Sequence, residues 1–273
     1  MNQHGDADLL IAARSALLDA LDALHEHLAA LVLVGAQAIY LHTGDAHVPL
    51  AAATKDSDLA IDPRALPSEP KLEQAMSAAG FRRTAQPGGW VSPTGVPIDL
   101  MVPEALSGSG GSRGARIPPH NKHAARRTPG LEAAVVDHQR MKVSALDPTD
   151  QRTATVAVAG PAALLVAKLY KLGERRDQPG RLVDKDAHDI YRILVATDSR
   201  KLGTRLVDLS RDETARETIL EAIVFLRSLF GSPTSLGSSM AGRAEELIGS
   251  PTTVAASVSA LAADVLANVH SDA

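Results

Sequence analysis

The chain has 273 residues, enough for one large domain or two ordinary ones, each with a substantial core. Hydrophobic residues make up 45% and charged residues 22%, a globular balance that excludes a disordered chain. The chain contains no cysteine, which excludes disulfides, thiolate metal sites and cysteine nucleophiles, and its net charge of −4 gives no overall attraction to nucleic acid. The N-terminal residues lack the layout of a secretory signal, and no apolar run reaches the roughly 18 residues of a membrane helix, so we expect a cytoplasmic protein with no membrane partner.

The first part of the chain alternates between helical and extended patterns. Leucines recur at helical spacing in residues 7–29, and the apolar run 31–34 is a short β-type segment that ends at Gly35. Residues 56–61 alternate charged and apolar side chains, which indicates a strand. We predict helices over 7–29, 36–42 and 67–80, strands over 31–34, 56–61, 81–86, 90–92, 97–102, 134–146 and 153–159, a loop over 43–53 and a mobile loop over 107–130.

From Pro161 to the end the pattern is helical. Pro161 suits the first turn of a helix over 162–172. Further helices follow, separated by clusters of Gly, Pro and Ser near 178–180, 231–239 and 249–251. We therefore predict an α/β (α+β) fold, with a mixed sheet and flanking helices in a domain over 1–159 and a helical domain over 160–273.

Three aspartates give the strongest chemical signal. Asp56 and Asp58 are two residues apart in a predicted strand, so their side chains would share one face of the sheet. Asp99 lies alone in a predicted apolar strand, where an unpaired charge is costly. Adjacent carboxylates repel unless they share a cation or a proton, and Mg²⁺ prefers carboxylate oxygens. If the two strands are neighbours, the three acids could hold one or two Mg²⁺ ions, although an Asp-x-Asp pair is also common in turns and exposed edge strands.

The segment around Gly35 offers a second feature. A strand, a glycine and a helix follow one another there, and Ala36 and Gln37 open the helix. The first N–H groups of a helix have no partner within the helix, and its dipole favours an anion at that end. The N-terminus of this helix is therefore suited to a phosphate group.

In this order, the features resemble the DNA polymerase β-like nucleotidyltransferase superfamily. Its pattern is a Gly turn that opens a helix, an Asp-x-Asp pair and a distant third acid on a strand, and residues 31–102 match it, with Ala36 where many members have Gly or Ser. The resemblance implies a nucleotidyltransferase fold. It also implies ligands for Mg²⁺ and residues that bind an NTP, namely Asp56, Asp58 and Asp99 for the metal and Gly35, Ala36, Gln37 and Ser57 for the NTP.

Residues in the second part of the chain indicate which members of this superfamily the chain resembles. Lys168 falls among apolar neighbours in a predicted helix, and Asp186 and Asp189 share one face of another. Taken singly, each residue fits an ordinary amphipathic helix with surface charges. Together they resemble the AbiEii/MenT-type nucleotidyltransferase toxins of bacterial toxin–antitoxin systems, over about residues 31–194. That resemblance implies catalytic roles for Lys168, on the nucleotide phosphates, and for Asp186, which would orient Lys168 or the acceptor.

The family also implies a reaction, which is transfer of a nucleoside monophosphate from an NTP to RNA. The 3′ end of tRNA is the expected acceptor, a cognate antitoxin protein is a partner, and inhibition of growth is the result. Residues 105–131 carry five basic residues and no acidic one. Such a segment fits a phosphate backbone, and it also fits a solvated basic loop.

Two other functions fit the same residues. A nucleotidyltransferase could modify a small molecule such as an aminoglycoside, but a pocket for a polycation should be acidic, whereas residues 105–131 are basic. A non-catalytic interaction protein with this fold would have little reason to keep three repelling acids. The preferred nucleotide, the oligomeric state and the role of the helices over 211–269 are open at this point.

Overall fold

The computed structural model describes residues 3–44, 48, 54–110, 113–246 and 249–271. These residues form nine α-helices, which are α1 (Gln3–Ala23), α2 (Gly35–Thr43), α3 (Leu72–Ala78), α4 (Pro161–Gly173), α5 (Asp184–Ala196), α6 (Ser199–Leu209), α7 (Arg216–Phe230), α8 (Leu236–Ala244) and α9 (Pro251–Ser271). They also form eight strands, which are β1 (Leu31–Val34), β2 (Ser57–Ile61), β3 (Arg82–Arg83), β4 (Gly89–Val91), β5 (Pro97–Pro103), β6 (Arg126–Thr128), β7 (His138–Ser144) and β8 (Thr153–Ala159). The predicted mixture of helices and strands is confirmed.

The chain divides into two compact units. The first contains Met1–Ala38 and Ala53–Ala159, and the second contains Ile39–Ala52 and Gly160–Ala273. All the strands described above lie in the first unit, and α4 to α9 lie in the second. The division falls inside α2. The predicted domains, 1–159 and 160–273, remain a prediction about independently folding parts of the chain.

The first unit is built on a mixed sheet, as predicted. Its strand order is β3-β4-β5-β2-β1-β8-β7, and β6 pairs with β5. Strand β2 runs antiparallel to β1 and parallel to β5, while β1 runs parallel to β8. On its other edge β5 pairs with β4 near its start and with β6 near its end. Strands β1, β2 and β5 therefore lie side by side in the middle of the sheet.

Helix α1 covers one face of these central strands. It packs against β2, β5 and β8, and the leucines of its second half, Leu17, Leu18 and Leu21, are buried, whereas Leu9 near its start is 36% exposed. Every residue of β1 is buried, which explains its continuous apolar sequence. Ser57 Oγ donates a hydrogen bond to the carbonyl of Ala13 in α1, at 3.1 Å. Odd-numbered residues of β2 thus face α1, and Asp58 faces the opposite side of the sheet.

Several elements of the first unit differ from the prediction. The helix predicted over 7–29 ends at Ala23, and the strand predicted over 81–86 covers only Arg82–Arg83. Helix α3 is shorter than 67–80 because prolines occupy 67 and 70, and a proline disfavours helix at the residue before it. The segment predicted as a mobile loop over 107–130 contains β6, and its apolar side chains Ala115, Ile117 and Ala124 are buried. The strand predicted over 134–146 begins at His138, after a short 3-10 turn. Most of the loop predicted over 43–53 lies outside the described residues.

The second unit is helical. Helix α5 packs against α4 and α8, and α9 packs against α6, α7 and α8. Residues Pro251–Val269 of α9 are long and apolar enough to cross a membrane by length and composition alone, and 44% of that stretch is buried inside the protein. A core helix of a soluble protein passes the same test, so this helix is only a weak sign of a membrane span. The apolar composition of α9 is compatible with a soluble protein.

A buried acid–base pair joins α5 to the end of α8. His188 is 1% exposed, and its Nε2–H donates to Glu245 Oε1 at 2.8 Å. Burial lowers the pKa of His188, although its bond to Glu245 acts in the opposite direction. A histidine with a lowered pKa takes up a proton more readily in the unfolded chain. The stability that it contributes is therefore present above its unfolded pKa, about 6.5, and is lost as the pH falls.

We predict that the free energy of unfolding decreases between about pH 7 and pH 5, and that His188→Gln reduces this decrease. Urea unfolding at several pH values measures the effect. His25→Gln is the matched control, because the side chain of His25 is 68% exposed. His120, in the first unit, has a pKa that burial also lowers, so part of the slope should remain. An unchanged slope in His188→Gln would contradict the prediction.

Candidate active site

Asp58 and Asp99 occupy paired positions on neighbouring strands. Strands β2 and β5 are parallel, and their register places Asp58 opposite Asp99. Adjacent strands lie about 4.8 Å apart, and paired residues of a parallel sheet point to the same face. Since Ser57 faces α1, the two carboxylates lie on the other face of the sheet. The pairing of β2 with β5 meets the condition, stated for the predicted metal site, that these two strands are neighbours.

The Asp58 carboxylate lies against Gly35, the first residue of α2. A Cβ atom added to Gly35 would lie 2.1 Å from Asp58 Oδ2, which is far too close for any other residue. Gly35 also has a φ of +67°, a left-handed conformation that glycine tolerates best. The start of α2 therefore places N–H groups that have no partner within the helix, and a positive dipole, beside a carboxylate.

The third predicted ligand, Asp56, lies outside the strand. Strand β2 begins at Ser57, and Asp56 Oδ1 accepts a hydrogen bond from Thr54 Oγ1 at 2.8 Å. Asp56 thus lies one residue before the start of β2. Its role as a metal ligand remains a prediction.

The residues predicted to bind the NTP have other contacts in the structure. Ser57 is bonded to α1, and Ala36 is buried. Gln37 is also buried, and its Oε1 accepts from Arg14 Nε at 2.9 Å. Arg14 Nη1 in turn donates to the carbonyl of Ser144, and burial lowers the pKa of Arg14. Contacts of these residues with a nucleotide remain predictions.

Asp58 and Asp99 are called the acid pair below. Arg126, a residue of β6, contacts Asp99 of this pair. Arg126 Nη2 lies 2.9 Å from Asp99 Oδ2, and the Arg126 side chain is 37% exposed. The sequence identified Arg126 only as one member of a basic segment, because nothing in the sequence shows that β6 pairs with β5. This residue is the main addition that the structure makes to the site.

Lys168 and Asp186 lie in the second unit, within a cluster of buried charges. Lys168 Nζ lies 2.8 Å from Asp186 Oδ1 and 2.7 Å from Asp189 Oδ2. Lys171 also contacts Asp186, and Lys185 also contacts Asp189, at 2.9 and 3.1 Å. The structure therefore brings the predicted residues Lys168 and Asp186 together and adds Asp189 to them.

The charges of this cluster compensate one another. Burial alone would lower the pKa of Lys168, but the carboxylates of Asp189 and Asp186 outweigh burial and raise it. Burial would raise the pKa of Asp186 and Asp189, but Lys168 and the outer lysines outweigh burial and lower both. All three groups are therefore ionised near neutral pH. Their roles in catalysis remain predictions.

The acid pair of the first unit fits a hard divalent cation. Mg²⁺ is usually bound through one or two carboxylates, with waters and substrate phosphates completing its octahedral shell. Asp58 and Asp99 supply two carboxylates on one face of the sheet. Within the described residues, no group of three or more His, Cys, Asp or Glu side chains lies together as a metal site. A metal bound at Asp58 and Asp99 would therefore take its remaining ligands from water or substrate.

Comparisons with protein-family models, with curated proteins and with solved structures found no match for this chain. Its resemblance to nucleotidyltransferases therefore rests on its own residues.

We predict that Gly35→Ala destabilises the protein more than Gly95→Ala does. Gly95 also has a positive φ, +87°, but a Cβ added there would meet nothing within 4 Å. Gly95→Ala should therefore cost only the left-handed strain, about 1–2 kcal/mol. Gly35→Ala should add the collision with Asp58. Urea unfolding of both variants measures the difference.

The same pair of substitutions can be repeated in Asp58→Ala, which removes the colliding carboxylate. In that background the extra cost of Gly35→Ala should largely disappear, because the coupling between the two residues has been removed. Equal costs of Gly35→Ala and Gly95→Ala in the wild-type chain would show that Asp58 does not pack on Gly35.

Proposed function

We propose that this chain is a Mg²⁺-dependent nucleotidyltransferase that transfers a nucleoside monophosphate from an NTP to RNA. The 3′ end of tRNA is the proposed acceptor. The activity would inhibit growth in the cytoplasm, with a cognate antitoxin protein as the partner that controls it. The proposal combines the order of motifs in the sequence with the arrangement of the acids on the sheet.

One observation carries the proposal, namely the placement of Asp58 and Asp99. The two carboxylates are register partners, and Asp58 lies against the glycine that opens α2. Two carboxylates of the kind that bind a divalent cation, and a helix N-terminus of the kind that binds phosphate, thus lie next to each other, and this supports the proposal. A nucleoside triphosphate bound with its metal needs both features.

In the proposed reaction, the acceptor hydroxyl oxygen forms a bond to the α-phosphorus of the NTP. The bond from that phosphorus to the bridging oxygen of pyrophosphate breaks, and the hydroxyl proton passes to solvent or to a carboxylate. Bound Mg²⁺ would activate the attacking oxygen and neutralise the negative charge of the leaving pyrophosphate. Asp58 and Asp99 would hold the metal, and the start of α2 would orient the phosphates.

The basic segment over 105–131 favours an acceptor with a phosphate backbone. Its cations Arg113, Arg116 and Lys122 are exposed, and Arg126 of the same segment reaches Asp99. The segment is therefore connected to the acid pair by a direct contact. Cations beside the site favour RNA and disfavour a polycationic small molecule as the acceptor.

Lys168 fits an anchoring role in the helical unit better than direct contact with phosphate. Its side chain is 9% exposed, and its Nζ lies between two carboxylates. Lys171 shares Asp186 with it, and the Lys171 side chain is 43% exposed. If a phosphate binds to this cluster, Lys171 is the more accessible cation.

We predict that purified protein with Mg²⁺ transfers label from one of the four α-³²P-NTPs to total tRNA, as seen on a denaturing gel. Asp58→Asn and Asp99→Asn should each reduce the rate by more than about 100-fold, since even residues that only support a metal ligand are commonly worth 10–100-fold. Asp62→Asn is the matched control. Asp62 follows β2 directly and pairs with Arg64. This variant therefore removes a carboxylate that does not belong to the acid pair.

Equal loss of activity in Asp62→Asn would show that the reduction reflects a general effect of charge or folding. Transfer that persists in both Asp58→Asn and Asp99→Asn would refute the proposed metal site. If no NTP gives labelled tRNA, the same assay with aminoglycosides as acceptors tests the alternative small-molecule substrate.

A further inference from the structure

Arg126 is placed where a metal bound to Asp99 would also have to lie. Its Nη2 is 2.9 Å from Asp99 Oδ2, a distance typical of a charge-assisted hydrogen bond. The same Nη2 lies 3.1 Å from the sulfur of Met101, the residue that pairs with Arg126 across the strands. The guanidinium thus spans two alternate residues of β5 that point to one face of the sheet.

The backbone of Arg126 is held firmly in this position. Strand β6 pairs in parallel with the end of β5, and Gly114 forms a further bridge with Arg126. A Cβ atom added to Gly88 would lie 2.5 Å from Arg126 N and 2.3 Å from the carbonyl oxygen of Leu100. Three segments of the first unit therefore pack closely around Arg126. The backbone of Arg126 is thus fixed by pairing and packing, while its side chain is 37% exposed.

We propose that Arg126 is a built-in counter-cation of the acid pair, and that a divalent cation must displace it from Asp99 in order to bind. This inference rests on the metal site of the proposed function. It adds that Arg126 competes with the metal ion for Asp99. In the metal-free protein, Arg126 offsets the repulsion between Asp58 and Asp99. When the metal binds, the guanidinium loses its carboxylate partner, while its backbone stays in the sheet.

The competition follows from charge and from exposure. A guanidinium and a divalent cation are both attracted to the carboxylate, and each repels the other at short distance. The Asp99 side chain is 24% exposed and that of Arg126 is 37% exposed, so solvent screens their ion pair and it can be exchanged. The buried charges around Lys168 differ in this respect, because their side chains are mostly enclosed.

The test is a titration of the full-length protein with Mn²⁺, in which electron paramagnetic resonance measures the free ion. Removal of Arg126 by Arg126→Gln should tighten Mn²⁺ binding by about threefold to tenfold, the range expected for loss of a partly exposed ion pair. Arg126→Lys keeps the charge but loses the planar fork of the guanidinium, so its affinity should lie between those of the wild type and Arg126→Gln. Circular dichroism confirms that each variant is folded.

The matched control is Arg113→Gln, which removes one positive charge from the same basic segment at an exposed position. Its Mn²⁺ affinity should equal that of the wild type. Equal binding by the wild type and Arg126→Gln overturns the competition but leaves the metal site intact. Equal tightening in Arg113→Gln and Arg126→Gln also overturns it, because the effect would then reflect net charge. If neither the wild type nor Arg126→Gln binds Mn²⁺, both the metal site and this inference fail.

Discussion

Two aspartates, Asp58 and Asp99, face the same side of the sheet from paired positions on neighbouring strands, so their repulsion must be offset by positive charge. The protein supplies that charge in two ways. The first turn of α2 begins at Gly35, directly against Asp58, and Arg126 contacts Asp99. The close approach of Gly35 to Asp58 and the contact of Arg126 with Asp99 both follow from this electrostatic requirement. In the proposed metal site, a divalent cation would offset the same repulsion between Asp58 and Asp99 more strongly than Arg126 does.

The protein contains a second group of opposite charges, the cluster around Lys168, which differs from the acid pair in its burial. Around Lys168 the charges compensate one another within the helical unit, and the Asp189 side chain is only 2% exposed. A buried, complete network of this kind resists exchange, because removal of one partner leaves an uncompensated buried charge. Asp58 and Asp99 are more exposed than the buried charges of this network, and the guanidinium of Arg126, which contacts Asp99, is itself 37% exposed. Of the two groups, the acid pair is the one suited to bind and release a ligand.

Much of the fold could be predicted from the sequence, because its periodic patterns are strong. The buried strand β1, the glycine after it, the strand with Asp99 and the first helix after Pro161, α4, all lie close to their predicted positions, whereas α8 begins at Leu236, inside the break predicted near 231–239. The failures have local causes. Asp56 was predicted to lie in the strand from its alternating neighbours, whereas β2 begins one residue later, at Ser57. The contact of Arg126 with Asp99 depends on pairing between distant segments, which no local pattern reveals. The predicted roles of Lys168 and Asp186 rest on resemblance, although their mutual contact is now described.

The most direct test of this account is a crystal structure of the protein grown or soaked with Mn²⁺, with diffraction data collected at a wavelength where manganese scatters anomalously. The account predicts an anomalous peak within bonding distance of carboxylate oxygens of both Asp58 and Asp99, with the Arg126 guanidinium no longer on Asp99. Mn²⁺ bound elsewhere, with Asp58 and Asp99 still arranged as in the metal-free protein, would contradict it.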